Sequence, residues 1–501
     1  MSQSELIQQM QTPEFYPHPV TLPIKVVQTH VSTVFLTGNY AYKLKKIVNF
    51  GFLDYSTLEK RKHFLEEEFR MNKDISPNLY LEIMPITQDG ETFKLNSAEE
   101  TVEYTLKMNQ FPQENLFINM FEAGKLTVED MAKLGELVAD FHKNTLTNDY
   151  IKTFGNVDKV GESITENYEQ TSKYIGLAQT QQHYEETKAF TDNFLKENTA
   201  ILKQRQDEDK IRECHGDLHL KNICLWEDKI QLFDRIEFNE PFRFVDVMYD
   251  VAFAVMDLDA RGKQDFGNVF LNTYAETTGD WEGLQVLPLY LSRQAYVRAK
   301  VTSFLLDDPA IPQNDKDEAQ KSASDYYTLA WKYTQNKQGK LILMSGLSGS
   351  GKSTVAKNLA QEINAIHIRS DAVRKHLAGI SIKEKGDNSI YSPEMTIKTY
   401  NRLLELGKLL TNSGFTVILD AKYDKVSLRQ PVIEFATQNN VDLEILYCDA
   451  PLEILSDRIA QRTGDISDAT PDLLKQQKAN LEDFTQEEKA FVKVIDTVKP
   501  L

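Results

Sequence analysis

The chain has 501 residues, more than one hydrophobic core comfortably organises, so two or three domains are expected. Apolar residues at 41% and charged residues at 26% are those of a soluble globular protein, and a formal charge of −18 argues against a protein that grips nucleic acid through its surface field. Three cysteines without paired spacing, an N-terminus without a basic, apolar leader and no charge-free run long enough for a bilayer predict a cytoplasmic protein with reduced thiols and no membrane partner.

Residues 24–46 predict three short strands: 24–30 is rich in β-branched residues, 33–38 follows a His-Val-Ser link, and a Gly38-Asn39 turn leads into 40–46. Alternation puts Lys43 and Lys45 on one face of the last strand. A helix follows, opened by the capping-box pattern Ser56-Thr57-Leu58-Glu59, with Leu58, Leu65 and Phe69 on one stripe. At about 100° per residue Glu68 falls on the edge of that stripe, while Glu67 points away. Strands over 79–86 and 101–108, a link through Phe111-Pro112, and helical patterns over 127–144 and 160–206 complete a small β-rich lobe and a larger helical one.

The texture then changes. One loop carries His215, Gly216, Asp217, His219 and Asn222, a hairpin turns at Glu227-Asp228, and Asp234 ends the returning apolar strand. Phosphoryl transfer needs a base for the acceptor's proton and oxygen ligands for Mg²⁺ on the nucleotide phosphates, and this loop and hairpin bring such groups together. The structural alternative is that His215 and Asp217 only cap a turn. Asp246 and Asp250 are expected to brace the loop by hydrogen bonding.

His215-Gly216-Asp217-x-His219-x-x-Asn222 with the downstream Asp234 resembles the aminoglycoside phosphotransferase and choline kinase branch of the protein-kinase-like fold, over residues 20–335. The resemblance implies an α+β bilobal kinase domain, with a small lobe over 20–110 and a large lobe over 111–335. It also implies Asp217 as catalytic base, Asn222 and Asp234 as Mg²⁺ ligands, and Lys43 as the strand-three lysine partnered by Glu68. Lys45 stands as the alternative to Lys43. One departure is plain: the link around His30-Val31-Ser32, where the phosphates should be covered, has no glycine.

A polar helical stretch and a short linker over 336–339 lead to a second pattern. An apolar run, Leu341 to Met344, enters Gly346-x-x-x-x-Gly351-Lys352-Ser353-Thr354 and then a helix, the order strand, phosphate loop, helix. Gly346, Ser348, Gly349, Ser350 and Gly351 bring backbone N–H groups around an anion, Lys352 reaches the β- and γ-phosphates, Ser353 offers its hydroxyl to Mg²⁺, and Thr354 completes the motif. Strands over 365–368, 416–419, 443–448 and 491–495, separated by helices, imply a parallel sheet with its ligand at the strand C-termini. Asp371 and Asp420 fall there. Asp420 is assigned to the Mg²⁺ shell through water, Asp371 to activation of the acceptor hydroxyl (its structural alternative is a helix cap) and Arg374 to orienting the acceptor or its anionic group. Arg458 and Arg462, four apart before Gly464-Asp465, predict a lid over the transferring phosphoryl group, against the alternative of an exposed helix face. Lys422-Tyr423 receives no role.

These motifs are similar to those of the small P-loop kinases of the gluconate kinase, zeta toxin and polynucleotide kinase type, and the likeness implies ATP-dependent phosphorylation of a hydroxyl. The order of the halves resembles an uncharacterised bacterial two-domain family. The expectation is therefore a protein-kinase-like domain over 1–335 followed by an α/β P-loop NTPase domain over 340–501. It would act as a bifunctional phosphotransferase using ATP and Mg²⁺ on small-molecule hydroxyl acceptors. Two readings compete: one half is a nucleotide-binding regulator of the other, or the C-terminal half is a polynucleotide 5′-hydroxyl kinase, which the acidic balance disfavours.

Overall fold

The computed structural model describes residues 3–51, 53–461, 466–468 and 470–498. They form two compact units: Met1–Leu126, Asn144–Glu162 and Asn198–Asp257 in the first, Thr127–Lys143, Ser163–Glu197 and Leu258–Leu501 in the second. The division runs through the helical segments of the N-terminal half and leaves residues 336–339 inside the second unit.

The first unit is built on a six-stranded antiparallel sheet of β1 (Lys25–Gln28), β2 (Ser32–Leu36), β3 (Tyr40–Lys45), β4 (Tyr80–Asp89), β5 (Thr92–Leu95) and β6 (Thr101–Asn109), in the order β1-β2-β3-β6-β4-β5. The short β5, which returns through Gly90 at φ +60°, escaped the sequence pattern because it is four residues long. Helix Leu58–Ile75 is capped by Thr57, whose hydroxyl accepts the Lys60 N–H, so the cap lies one residue later than the Ser56 pattern predicts. Both faces of β3 are covered. Tyr42 and Leu44 pack with Leu6, Met10, Phe15 and Tyr16 of the N-terminal segment. The opposite face of the sheet meets the helix, with Leu65, Leu79, Tyr80 and Leu106 in one cluster. Lys43 and Lys45 therefore enter a covered environment and need anionic partners there.

Four short strands follow in this unit: β7 (Ile211–Glu213), β8 (Ile223–Trp226), β9 (Lys229–Leu232) and β10 (Phe244–Asp246). β8 and β9 form a hairpin pairing Ile223 with Leu232, through Glu227 and Asp228 at φ +50° and +58°. β10 pairs with β7.

The second unit contains the parallel sheet: β11 (Lys340–Ser345), β12 (Ile366–Arg369), β13 (Thr416–Asp420), β14 (Asp442–Asp449) and β15 (Val492–Asp496), in the order β12-β13-β11-β14-β15. Ile342, Met344, Ile418, Leu446 and Cys448 pack on Val355, Ala356 and Ala360 of helix Lys352–Ile363. The strand order reverses at β11, so the crevice beyond its C-terminal end is where an α/β sheet binds its ligand. Helices Gln264–Thr278, Leu287–Ser303 and Gln313–Tyr333 belong to the same unit. No helix among the described residues is long and apolar enough to cross a membrane.

Candidate active sites

In the first unit Glu68 is fully buried and divides its two oxygens between the two β3 lysines. Oε1 accepts from Lys43 Nζ at 2.7 Å and Oε2 from Lys45 Nζ at 2.9 Å. The lysines then part. Lys43 continues to Asp234 Oδ1 at 2.5 Å, and Lys45 to Glu237, whose carboxylate also accepts the Tyr55 hydroxyl. Burial would lower the Lys43 ammonium, but Asp234, Glu68 and Glu237 outweigh it and hold its pKa well above the ordinary lysine value. Glu237 and Tyr55 were not singled out in the sequence; two acids three residues apart after an apolar strand, facing two lysines two apart, were the available signal.

The loop with Asp217 is drawn tight by Asp250, whose carboxylate accepts the His215 N–H at 2.6 Å and the Gly216 N–H at 2.8 Å. Gly216 stands at φ +83°, where an added Cβ would lie 2.7 Å from the Phe242 carbonyl oxygen. His215 donates from Nε2 to the Phe233 carbonyl (3.0 Å) and accepts the Asp217 N–H at Nδ1 (3.3 Å), an arrangement for neutral imidazole that burial favours by lowering its pKa. Asp217 Oδ2 accepts from Asn222 Nδ2 at 3.0 Å and lies 3.3 Å from His219 Nε2. Asn222 spends its amide nitrogen on Asp217, which turns its carbonyl oxygen toward other use. The Phe233 N–H donates to the Asn222 backbone carbonyl at 3.1 Å, placing Asp234 beside Asn222 at the base of the hairpin. Asp234 sits at φ +63°, its N–H on the Tyr80 hydroxyl at 3.0 Å. Asp250 therefore braces the loop as expected, whereas the Asp246 carboxylate accepts from Arg205, at 2.6 and 2.7 Å, and from the Met248 N–H at 2.9 Å, not from the loop. Asn222 and Asp234 offer oxygen only, the donor type that Mg²⁺ prefers.

The glycine-free link between β1 and β2 closes on itself. Thr29 Oγ1 accepts the N–H groups of Val31 (3.3 Å) and Ser32 (2.9 Å), committing amides that a phosphate-covering loop would present.

In the second unit the loop after β11 takes the conformation its glycines allow. Gly346, Gly349 and Gly351 have φ of +134°, +79° and +85°. A Cβ on Gly346 would stand 2.4 Å from the Cys448 carbonyl oxygen, and one on Gly349 2.6 Å from that of Leu455. Ser350 Oγ is buried without a hydrogen-bond partner. Ser348 is held by Gln477, which accepts its N–H at 3.0 Å and donates to its hydroxyl at 3.1 Å. Lys352 Nζ curls back to the Leu347 carbonyl at 2.8 Å; burial lowers its pKa against the opposing pull of Asp420 and Asp371. Thr354 is exposed on the helix.

Asp420, at the end of β13, is buried, which alone would raise its pKa; His367 Nε2 at 3.0 Å, Lys352 and the Ser353 hydroxyl outweigh burial and hold it near 2. An ionised carboxylate near the motif's hydroxyl and its half-buried lysine fits a divalent cation on a polyphosphate. Asp371 opens helix Ser370–Leu377, and its field reaches Lys352. Arg374 donates to the Ile390 carbonyl at 2.9 Å and lies 5.1 Å over the Tyr391 ring, so it fastens the 388–391 segment. Arg458 donates to the Thr497 carbonyl at 2.7 Å, and the Thr497 hydroxyl donates to the Ser350 carbonyl at 2.8 Å. It therefore stands one residue from the phosphate loop, and a lid role requires it to leave Thr497. Arg462 lies outside the described residues.

Lys422-Tyr423 acquires a place. The Lys422 carbonyl accepts the Gly346 N–H at 3.0 Å and the Ser345 hydroxyl at 3.2 Å, with Tyr423 at φ +42°. The pair anchors the start of the phosphate loop.

Residues 341–484 match the AAA domain family. Over 462 residues the chain is 29% identical to an uncharacterized protein of Mycobacterium tuberculosis, across 91% of this chain and 90% of that protein. A cytidylate kinase of Ignicoccus hospitalis is 29% identical over 127 residues, 25% of this chain and 65% of that enzyme. A choline/ethanolamine kinase family protein from Mesorhizobium loti aligns with 66% of this chain and 99% of its own, at 9% identity and a TM-score of 0.38. The AAA domain match and the cytidylate kinase likeness thus fall in the part of the chain that carries the Gly346–Thr354 phosphate loop.

Proposed function

We propose that the chain is an ATP-dependent phosphotransferase with two Mg²⁺-nucleotide sites, one carried by residues 1–335 and one by 340–501, each phosphorylating a hydroxyl of a small molecule. The observation that carries this is the Lys352, Ser353 and Asp420 arrangement behind a loop whose three glycines hold φ above +79° or at it. In the C-terminal site Asp371 takes the acceptor's hydroxyl proton while the oxygen bonds to the γ-phosphorus and ADP leaves with the bridging oxygen. Bound Mg²⁺ would draw charge from the phosphate oxygens, with Ser353 and Asp420 as its protein side. In the N-terminal site Asp217 is the base, Asn222 and Asp234 are the oxygen ligands, and Lys43, set by Glu68, faces the phosphates.

An acceptor screen with Lys352→Ala and Asp217→Ala made separately in the full chain tests the proposal. Each change should abolish a distinct set of products, and turnover indifferent to both would end it. A second reading has its own support in the Thr29 turn, which consumes the amides of Val31 and Ser32. In that reading the N-terminal half binds nucleotide and gates the other half. Nucleotide binding with no turnover in the Lys352→Ala chain favours it; any Asp217-dependent product excludes it.

A further inference from the structure

Strand β12 is an edge of the parallel sheet, and an edge leaves one row of N–H and C=O groups without a strand to pair. Helix Gln264–Thr278, of the same unit and nearly a hundred residues earlier, meets that row with an amide. Asn272 Nδ2 donates to the Ala365 carbonyl at 3.0 Å, and Asn272 Oδ1 accepts the His367 N–H at 2.8 Å. One side chain thus reads a carbonyl and an N–H two residues apart, as a neighbouring strand would, because an amide offers a donor and an acceptor side by side. Asn268, one turn earlier, is buried and donates to the same carbonyl at 2.9 Å and to Asn364 Oδ1 at 3.2 Å, and its own Oδ1 accepts from Asn272 at 3.0 Å. At the far end of the helix the Glu276 carbonyl lies 2.8 Å from His376 Nε2.

The second half of the observation is what β12 carries. The His367 backbone is held by Asn272, and its imidazole Nε2 is 3.0 Å from Asp420 Oδ2. The Ser353 hydroxyl of the phosphate loop is among the groups that hold the Asp420 carboxylate ionised. Hydrogen bonds therefore run from Asn272 through His367 to Asp420, the carboxylate that stands by Ser353 of the phosphate loop.

We propose that Asn272 is a positioning residue of the P-loop site: it fixes His367 in register and, through it, aims the Asp420 carboxylate at the cation held with Ser353. The inference rests on the Mg²⁺-nucleotide reading of that site. Partners of a metal-ligating carboxylate matter for affinity because they set the direction of its lone pairs, and their loss typically costs about 10- to 100-fold. Asn272 acts one bond further out, so the low end applies. Its effect falls on the cation and not on the nucleotide itself. The helix that bears it lies before the P-loop motif in the chain, which makes the motif's own residues an incomplete description of the site.

The test is a titration of a fluorescent ADP analogue at a series of Mg²⁺ concentrations. It uses the full chain carrying Lys43→Met, which weakens binding at the N-terminal site. Asn272→Leu removes both bonds to β12. It should raise the Mg²⁺ concentration for half-maximal binding about tenfold and leave Mg²⁺-free binding unchanged. Asn268→Leu removes a bond to the same edge and one to Asn272 but leaves both Asn272 bonds to β12 in place, and should keep the Mg²⁺ requirement within about twofold of the parent despite a similar loss of thermal stability. Should Asn272→Leu fail to fold, Asn272→Ser withdraws the amide without adding apolar bulk and gives the same readout. An unchanged Mg²⁺ requirement in a folded Asn272 variant, or equal shifts for Asn272 and Asn268, overturns the positioning role. If Lys352→Ala also leaves binding intact, the P-loop reading falls with it; if Lys352→Ala abolishes binding, the positioning role alone is lost.

Discussion

Replacing the two β3 lysines one at a time separates a nucleotide contact from a structural ion pair. Lys45 is enclosed, with 1% of its side chain exposed, between Glu68 at 0% and Glu237 at 6%. Lys45→Met leaves an unneutralised buried carboxylate, and breaking a buried pair from one side costs about 3–5 kcal/mol. Lys43→Met is milder for the fold. Glu68 keeps Lys45, and Asp234, whose side chain is 43% exposed, turns to water, so about 1 kcal/mol is lost. The effect on nucleotide runs the other way. Lys43 is the ammonium on the Asp234 side, and a charge-assisted hydrogen bond of about 1.5–3 kcal/mol converts to about 10- to 150-fold in affinity. Both variants are made in the Lys352→Ala chain so that only the N-terminal site reports. Amide hydrogen exchange over helix Leu58–Ile75 reads local stability, and nucleotide titration reads affinity. Lys45→Met should show the larger loss of protection and Lys43→Met the larger loss of affinity. The reverse ordering would refute the division of labour drawn from Asp234 and Glu237.

Gly346→Ala should destabilise the chain by about 1–3 kcal/mol and abolish nucleotide binding at the P-loop, because its φ of +134° and the Cys448 carbonyl both exclude a Cβ; thermal melts and titration check it. Glu488→Gln should cost about 3–5 kcal/mol near neutral pH, since Glu488 meets buried Arg429 at 2.7 and 3.0 Å. Burial raises the Glu488 pKa, but Arg429 outweighs it and the net shift is downward. Its stabilisation is therefore present above the ordinary glutamate range and fades as pH falls below it, so the variant and parent melting curves should converge in acid. Asp259 has the opposite sign. Burial lifts it from 3.8 to about 6 despite the Tyr333 hydroxyl at 2.6 Å, so its contribution is full below 3.8 and lost as pH rises through 6. Asp259→Asn should stabilise the protein by about 2–3 kcal/mol above that range and by progressively less toward pH 4 in melts followed across pH.

The sequence pattern carried the elements whose side chains repeat in one local rhythm. The phosphate loop was legible because its glycines sit between an apolar strand and a helix, and Glu68 because its helical phase brings it to the edge of the Leu65 stripe. Asp250 was legible as a brace because an acid at the start of an apolar helix needs donors, whereas Asp246 goes to Arg205 and not to the loop. The choice between Lys43 and Lys45 was not legible. Both lie on one strand face, and what separates them is whether Asp234 or Glu237 stands opposite, a contact across about 190 residues that no window contains. Arg374 and Arg458 looked like free cationic donors for the same reason: the Ile390 and Thr497 carbonyls that take them up are backbone groups, and backbone carries no sequence signal.

The same limit explains why a motif can be complete and its site not. Asn268 and Asn272 recur one turn apart in FGNVFLNTY, the first buried and the second half-buried, where an asparagine is costly unless something meets both ends of its amide. In the sequence that is an anomaly without a partner; in the fold the partner is the open edge of β12. A sheet edge needs a donor and an acceptor at a fixed spacing, and a helix can offer them only through side chains of this kind. The pair therefore marks a docking register between helix Gln264–Thr278 and the strand that bears His367. Because His367 holds Asp420, an exchange of Asn272 for any apolar residue would keep the packing and lose the aim of the carboxylate. Burial alone does not select an amide at that position, whereas orientation of the site does.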